Sequence, residues 1–246
     1  VKSYIDLYIG VSRDITEGLL QYGVEKNKVD HMTCPVECDR ILERDYTLNR
    51  EKPIRLGYAG RMNKKQKRMD LIPAFVSFLE NLQVNYFFEI AGKGDYCGKL
   101  EEFIEERGLG DKVRLIGSVA RDAIGDFWKD KDVCLSFSDY EGRSISIMEA
   151  MANGAVPVVT ATSGVRDDIT DDENGYIVGL QDIETMAEKV CYLEVHRERI
   201  STMGKKAHDC IYPKCRMKEH LKYWERLLDE KVGEINEKKG TSITGI

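Results

Sequence analysis

Residues 140–160 read YEGRSISIMEAMANGAVPVVT, and this stretch decides the fold. Apolar spacing over 144–153 predicts a helix, stopped by Gly154 in the left-handed closing position and by Pro157 beyond it. The run AVPVVT (155–160) that follows reads as a strand. On the i, i+3, i+4, i+7 template the buried stripe of the helix is Ile145, Met148, Glu149 and Ala152. A carboxylate stands where an aliphatic side chain is expected, and burying it unpaired is strongly unfavourable. Either Glu149 meets a partner, or the helix is phased differently and the charge is solvated.

Further out, the same alternation repeats. Strands are expected at 54–60, 86–92, 112–117, 132–138, 155–160 and 175–179, with helices near 70–83, 98–107, 121–129 and 144–153. This pattern predicts an α/β chain with a Rossmann-like, doubly wound parallel sheet covered by helices on both faces. Further helices are expected at 183–195, 197–210 and 214–231. Near the other end, IDLYIGVS reads as a strand and RDITEGLLQYG as a helix, too little to close a core alone. The expected division is therefore a strand–helix piece of a preceding domain (1–38), a charged linker (39–52), the sheet domain (53–210), a terminal amphipathic helix (211–232) and a polar, mobile tail (233–246). Val1 lies inside a strand-like run, so a fragment of a longer protein is expected.

Bulk composition narrows the function classes. The 246 residues are 42% hydrophobic and 33% charged, with a net charge of -6, so no overall basic field exists to hold nucleic acid or an anionic membrane. No apolar run approaches the roughly 18–20 residues needed to span a bilayer. VKSYIDLYIG lacks the plan of a signal peptide, and a cytoplasmic protein is expected. Seven cysteines, odd in number and scattered, suit reduced thiols. His31, Cys34 and Cys38, with His208, Cys210, Cys215 and His220, lack paired C-x2-C spacing, and no metal site is expected.

Four stretches carry candidate chemistry. In GYAGRMNKKQKRMD, Gly60 turns the chain at a strand end, and Arg61, Lys64, Lys65, Lys67 and Arg68 follow, forming an anion site or a solvated basic loop. AGKGDYCG resembles a dinucleotide fingerprint but has Cys97 where glycine is required, which argues against a nicotinamide or flavin site. It reads as a tight turn, either close to a ligand or merely structural. Glu141 and Glu149 flank the amino end of the 144–153 helix, where the free N–H groups of 142–145 invite phosphate or sugar oxygens. Farther on, Thr162, Ser163 and Gly164 offer backbone donors or form an ordinary loop.

In this order the segments resemble the donor-binding half of the group 1 glycosyltransferases, the retaining family four with the GT-B fold. Its signature E-G-x-x-x-x-x-x-E-A-M-A-x-G-x-P-V-V is matched by EGRSISIMEAMANGAVPVV, and the likeness extends over GRMNKKQKRMDLI, EIAGKGDY, VRLIGSV and NGYIV. The resemblance implies that Arg61 and Lys67 hold the diphosphate of a nucleoside diphosphate sugar in place of a metal. It implies that Glu141 contacts sugar hydroxyls, that backbone amides of Arg143, Ser144 and Ile145, after Gly142, approach sugar and phosphate, and that Glu149 binds ribose. Ser118 and Val119 would border the base. No cofactor beyond the sugar nucleotide is implied, and the acceptor would be a hydroxyl of a glycan or a lipid-linked glycan. RSIS replaces the usual FGLP, placing Arg143 beside the sugar pocket, and Arg166-Asp167 replaces Pro-Glu in the later loop. The acceptor-side groups, and any contact with the inner face of a membrane, are expected on the first domain. Rival readings are an epimerase or hydrolase on the same fold, or a non-catalytic sugar-nucleotide or glycan-binding module.

Overall fold

The computed structural model describes residues 4–39, 41, 42, 44–46 and 48–241, with 234–241 described by backbone alone. The central sheet contains β3 (Ile54–Ala59), β4 (Tyr86–Ala91), β5 (Val113–Gly117), β6 (Val133–Ser136), β7 (Val156–Thr160) and β8 (Tyr176–Val178). Its order is β5-β4-β3-β6-β7-β8, parallel throughout. This is the Rossmann order, which reverses between β3 and β6. Each expected strand is present, one to three residues shorter than its sequence span.

The reason the strands form is burial on both sides. Every residue of β6 and β7 is buried, so these strands are continuously apolar or small rather than alternating. Helices α2 (Ile72–Asn81), α3 (Cys97–Glu106) and α7 (Ile183–Val195) cover one face, with Phe75, Leu79, Leu100, Val190 and Leu193 packed into its core. Helices α4 (Ile124–Lys129), α5 (Ile145–Ala152), the short α6 (Val165–Asp168) and α8 (Arg197–Cys215) build the second cluster around Trp128, Met148, Met151 and Ile211.

The amino-terminal segment forms β1 (Tyr8–Gly10), α1 (Arg13–Gln21) and β2 (Val29–His31), with β1 and β2 paired in parallel. The second strand was not visible in the sequence. The charged linker is anchored to the sheet domain through Arg44. The Arg44 side chain has no exposure; it donates to the carbonyls of Asn153 (2.8 Å), Trp128 (3.3 Å) and Lys131, and lies 3.6 Å from Asp132. These contacts cap the carboxyl ends of α4 and α5 with a cation. Arg40, Glu43 and Thr47 of the linker lie outside the described residues.

Helix α8 runs through Pro213 to Cys215, past the expected end at 210, and α9 spans Met217–Thr241. The expected polar tail is therefore helical backbone as far as Thr241, and 242–246 lie outside the described residues. No helix among the described residues is long and apolar enough to cross a membrane.

Candidate functional site

The loops after β3 and β6 diverge at the strand-order reversal, where open α/β sheets form a crevice at the carboxyl ends of their strands. Here the crevice is a cavity of about 530 Å³, within the size range of small-molecule sites. Gly60 and Arg61 follow β3, Gly92 and Lys93 follow β4, Ser118, Val119 and Arg121 follow β5, and Ile145, Ser146 and Glu149 come from α5. A second cavity of about 240 Å³ shares Arg121, Ile124, Ile145 and Glu149, and is walled on its far side by Pro35, Val36 and Glu37.

Helix α5 points its amino end at this crevice. Its N-cap residue, Ser144, makes no side-chain capping bond, and the first amide bond into the helix runs from Met148 N–H to the Ser144 carbonyl (3.2 Å). The free N–H groups and the positive dipole end are thus available to an anion. Ser146 Oγ donates to the Ala59 carbonyl at 2.7 Å and ties the helix to the end of β3.

The expected phase of α5 is corrected by the structure. Ile147, Met148, Ala150, Met151 and Ala152 are buried, whereas Ile145 is 47% exposed on the cavity wall. Glu149 is half-buried beside it and lines both cavities, and no donor among the described residues bonds its carboxylate. Desolvation holds its pKa above the ordinary carboxylate range; Arg121 pulls the other way and Glu37 adds to the rise.

Glu141 and Lys67 are joined to each other rather than exposed on the cavity wall. Lys67 Nζ pairs with Glu141 Oε1, the two side chains keeping 13% and 10% exposure. Ser138 Oγ donates to the same oxygen at 2.8 Å, and Thr160 Oγ1 fixes Ser138 by donating to its carbonyl at 2.6 Å. Gln66 connects the pair to the cavity: its Nε2 donates to the Tyr140 carbonyl (3.2 Å) and its Oε1 accepts from Arg61 Nη2 (2.8 Å). The five-cation anion site is therefore smaller than expected. Arg68 is taken by Asp70 and Asp139 (3.1 and 2.7 Å), Lys64 and Lys65 are solvent-exposed, and Arg61 alone of the five lines the cavity.

Two cations of the wall, Lys93 and Arg121, were missed in the sequence. Lys93 sits in the glycine-rich turn after β4, a stretch the sequence singles out, and Arg121 stands two residues beyond Val119, just past another. That turn is structural as well. A Cβ on Gly92, whose φ is +149°, would lie 1.9 Å from the Gly60 carbonyl oxygen, so glycine alone lets the β4 loop press against the β3 loop.

Arg143 is a correction. Its guanidinium is not on the cavity wall; Nε and Nη2 donate to the two oxygens of Asp168 at 3.0 and 2.5 Å, and Nη1 donates to the Val11 carbonyl at 3.1 Å. Its side chain is therefore committed to Asp168 and Val11 and does not line the cavity. Gly142, Ser144 and the Arg143 backbone belong to the turn before α5, just outside the lining residues. In the later loop, Thr162 N–H bonds the Thr160 carbonyl (2.8 Å) and Gly164 N–H bonds Asp14 Oδ2 (3.2 Å), so both donors are already used.

Among the described residues no three His, Cys, Asp or Glu side chains gather as metal ligands, and the seven cysteines are free thiols. His208 Nε2 bonds the Asp39 carbonyl (2.8 Å), and His220 Nε2 accepts from Trp224 Nε1 (3.0 Å).

Comparison with known proteins agrees with this architecture. The chain is 29% identical over 178 residues to a poly(ribitol-phosphate) alpha-N-acetylglucosaminyltransferase of Staphylococcus aureus, covering 71% of this chain and 35% of the relative. It is 21% identical over 240 residues to the N-acetyl-alpha-D-glucosaminyl L-malate synthase of Bacillus anthracis, covering 96% and 55%. A structure of S. aureus TarM with fondaparinux, α-GlcNAc-glycerol and UDP superposes with a TM-score of 0.80 at 24% identity, over 92% of this chain and 44% of TarM. The pneumococcal O-GlcNAc transferase GtfA with UDP and GlcNAc gives 0.73 at 25% identity, over 92% and 45%. The chain thus spans from about a third to just over half the length of these relatives. The family profile of the glycosyl transferases group 1 matches residues 39–209, and the chain belongs to that family.

Proposed function

We propose that this chain is the donor-binding part of a retaining glycosyltransferase that uses a UDP-linked sugar, with UDP-N-acetylglucosamine the leading donor, to glycosylate a hydroxyl of a cell-surface glycan or lipid-linked glycan. One observation carries the reading. Arg61, Lys93 and Arg121, with the uncapped end of α5, surround a crevice also lined by Glu149, whose carboxylate has no hydrogen-bond donor among the described residues. A diphosphate answers the positive groups, and a ribose diol answers the carboxylate. The choice of UDP and N-acetylglucosamine is supported by the names of the relatives and by UDP in the GtfA structure.

When the bond between the anomeric carbon and the diphosphate breaks, negative charge grows on the leaving group. Arg61, the α5 amide groups and Lys67, released from Glu141, stabilise that charge more in the transition state than in the ground state. Glu141, anchored by Ser138, orients the sugar hydroxyls. In this reading the cations neutralise the leaving group without a divalent ion. Calorimetry of the chain with UDP, UDP-N-acetylglucosamine, GDP and ADP tests it: UDP is expected to bind, and no heat with any of the four would refute it.

A further inference from the structure

The residue that departs most visibly from its surroundings is Arg143, a cation in the turn that carries Glu141 and the α5 amino end. Its guanidinium is 3% exposed and lies flat against Asp168, itself 4% exposed, in a two-pronged pair. Such forks fix distance and orientation together, which a single-point Lys contact does not.

Asp168 is in turn held from three sides. Lys214 Nζ approaches its Oδ1 at 3.5 Å, and the Asp168 carbonyl accepts from Asn174 Nδ2 (2.9 Å) and Cys210 Sγ (3.2 Å). The anchor therefore belongs to the sheet domain, through α8 and the loop before β8. The third prong of Arg143 reaches the other way, to the Val11 carbonyl of the β1–α1 unit. Around it, Arg13 N–H donates to Asp167 Oδ2 at 2.9 Å, and a Cβ on Gly164 would meet the Gly142 carbonyl at 2.8 Å. The turn at 141–145 is thus gripped between two bodies, with one buried guanidinium at the junction.

We infer that Arg143 is a positioning residue: its fork to Asp168 and its bond to Val11 set the turn that presents Glu141 and the α5 amide groups, and couple that turn to the β1–α1 unit. Removing the fork leaves both partners buried, so the turn must shift to rehydrate them. The consequence for binding rests on the donor-site reading above, because it is the diphosphate and sugar end of the ligand that meets this turn; ribose, at Glu149, lies one turn further along α5.

Two measurements on the 246-residue chain test the inference, using Arg143→Lys and Asp168→Asn. The first, without nucleotide, is hydrogen exchange. The fork predicts that first-turn α5 amides, beginning with Met148, exchange about tenfold faster in both variants while β3 and β4 keep their protection. Unchanged exchange in α5, or acceleration spread evenly over the chain, overturns the positioning role. The second is calorimetry: UDP affinity is expected to fall about tenfold while uridine affinity stays within about twofold. Equal losses for UDP and uridine overturn it. If the wild-type chain binds no nucleotide, the donor-site reading fails, and the exchange experiment alone decides the role of Arg143.

Discussion

Replacing Glu149 by Gln separates binding from stability, because the same carboxylate should act in opposite directions on each. Desolvation raises its pKa in the folded chain, so the folded state binds its proton more tightly than the unfolded state does. Between the unfolded and folded pKa values, stability therefore falls as pH rises, and above the folded value the full penalty applies. Glutamine removes that penalty, and the melting temperature at pH 7 should rise. Binding should go the other way. No donor among the described residues bonds the carboxylate, so both oxygens can meet two ribose hydroxyls; the amide keeps one acceptor and loses one charge-assisted bond, worth roughly 1.5–3 kcal/mol, or about 10- to 150-fold in affinity. Uridine is the right probe because it carries no titrating phosphate. Its affinity for wild type should decline as pH falls through the raised pKa, and this decline should vanish in Glu149→Gln. A lower melting temperature in the variant, or uridine affinity equal to wild type, would refute the assignment.

Three further outcomes follow from the geometry. Arg61→Ala should weaken UDP by about 1.5–3 kcal/mol in calorimetry and leave uridine nearly unchanged, since among the described residues its guanidinium bonds only neutral Gln66; equal losses would contradict a diphosphate role. Lys67→Met strands the Glu141 carboxylate and should lower stability in urea by about 3 kcal/mol, the low end for a buried pair because both side chains retain some solvent. The double variant Lys67→Met/Glu141→Gln should recover more than half of that loss, and simple additivity would show that the two do not interact. Gly92→Ala places a Cβ 1.9 Å from the Gly60 carbonyl and should destabilise by more than about 4 kcal/mol, whereas Gly98→Ala, with nothing within 4 Å, serves as the control and should change stability by less than about 1 kcal/mol; similar melting curves for the two would refute the close packing of the β3 and β4 loops.

The sheet was legible because its strands are short apolar runs separated by helical spacing, a signal each strand carries by itself. The phase of α5 was not. Between the sheet and α8 the helix buries Ile147, Met148, Ala150, Met151 and Ala152, so apolar residues occur nearly all round and a one-stripe template cannot fix the rotation. Ile145 misled for a second reason: it is apolar yet exposed, because it faces the cavity. Strand β2 escaped notice because its three residues, Val29, Asp30 and His31, are half-buried at most and gain their identity from pairing with β1.

Charge was the least legible feature, and the reason bears on how such a site is found. Lys67, Arg68, Arg143 and Arg44 all sit in stretches that look like ligand loops or a solvated linker, yet each has its counter-charge inside the chain, from two to 88 residues away. Only Asp70 lies within reach of local spacing; the partners of Arg143, Lys67 and Arg44 are 25 to 88 residues away, where local spacing cannot reveal them. What distinguishes Arg61, Lys93 and Arg121 is that, among the described residues, none of them forms a salt bridge, although all three face the same crevice. Three like charges held together at the carboxyl ends of the strands repel one another, and Glu149 on the same wall offsets part of that repulsion, an arrangement that supports the proposal of an anionic ligand. The five cations of GRMNKKQKR thus contribute one side chain, Arg61, to the crevice, and the other two cations of its wall come from the loops after β4 and β5.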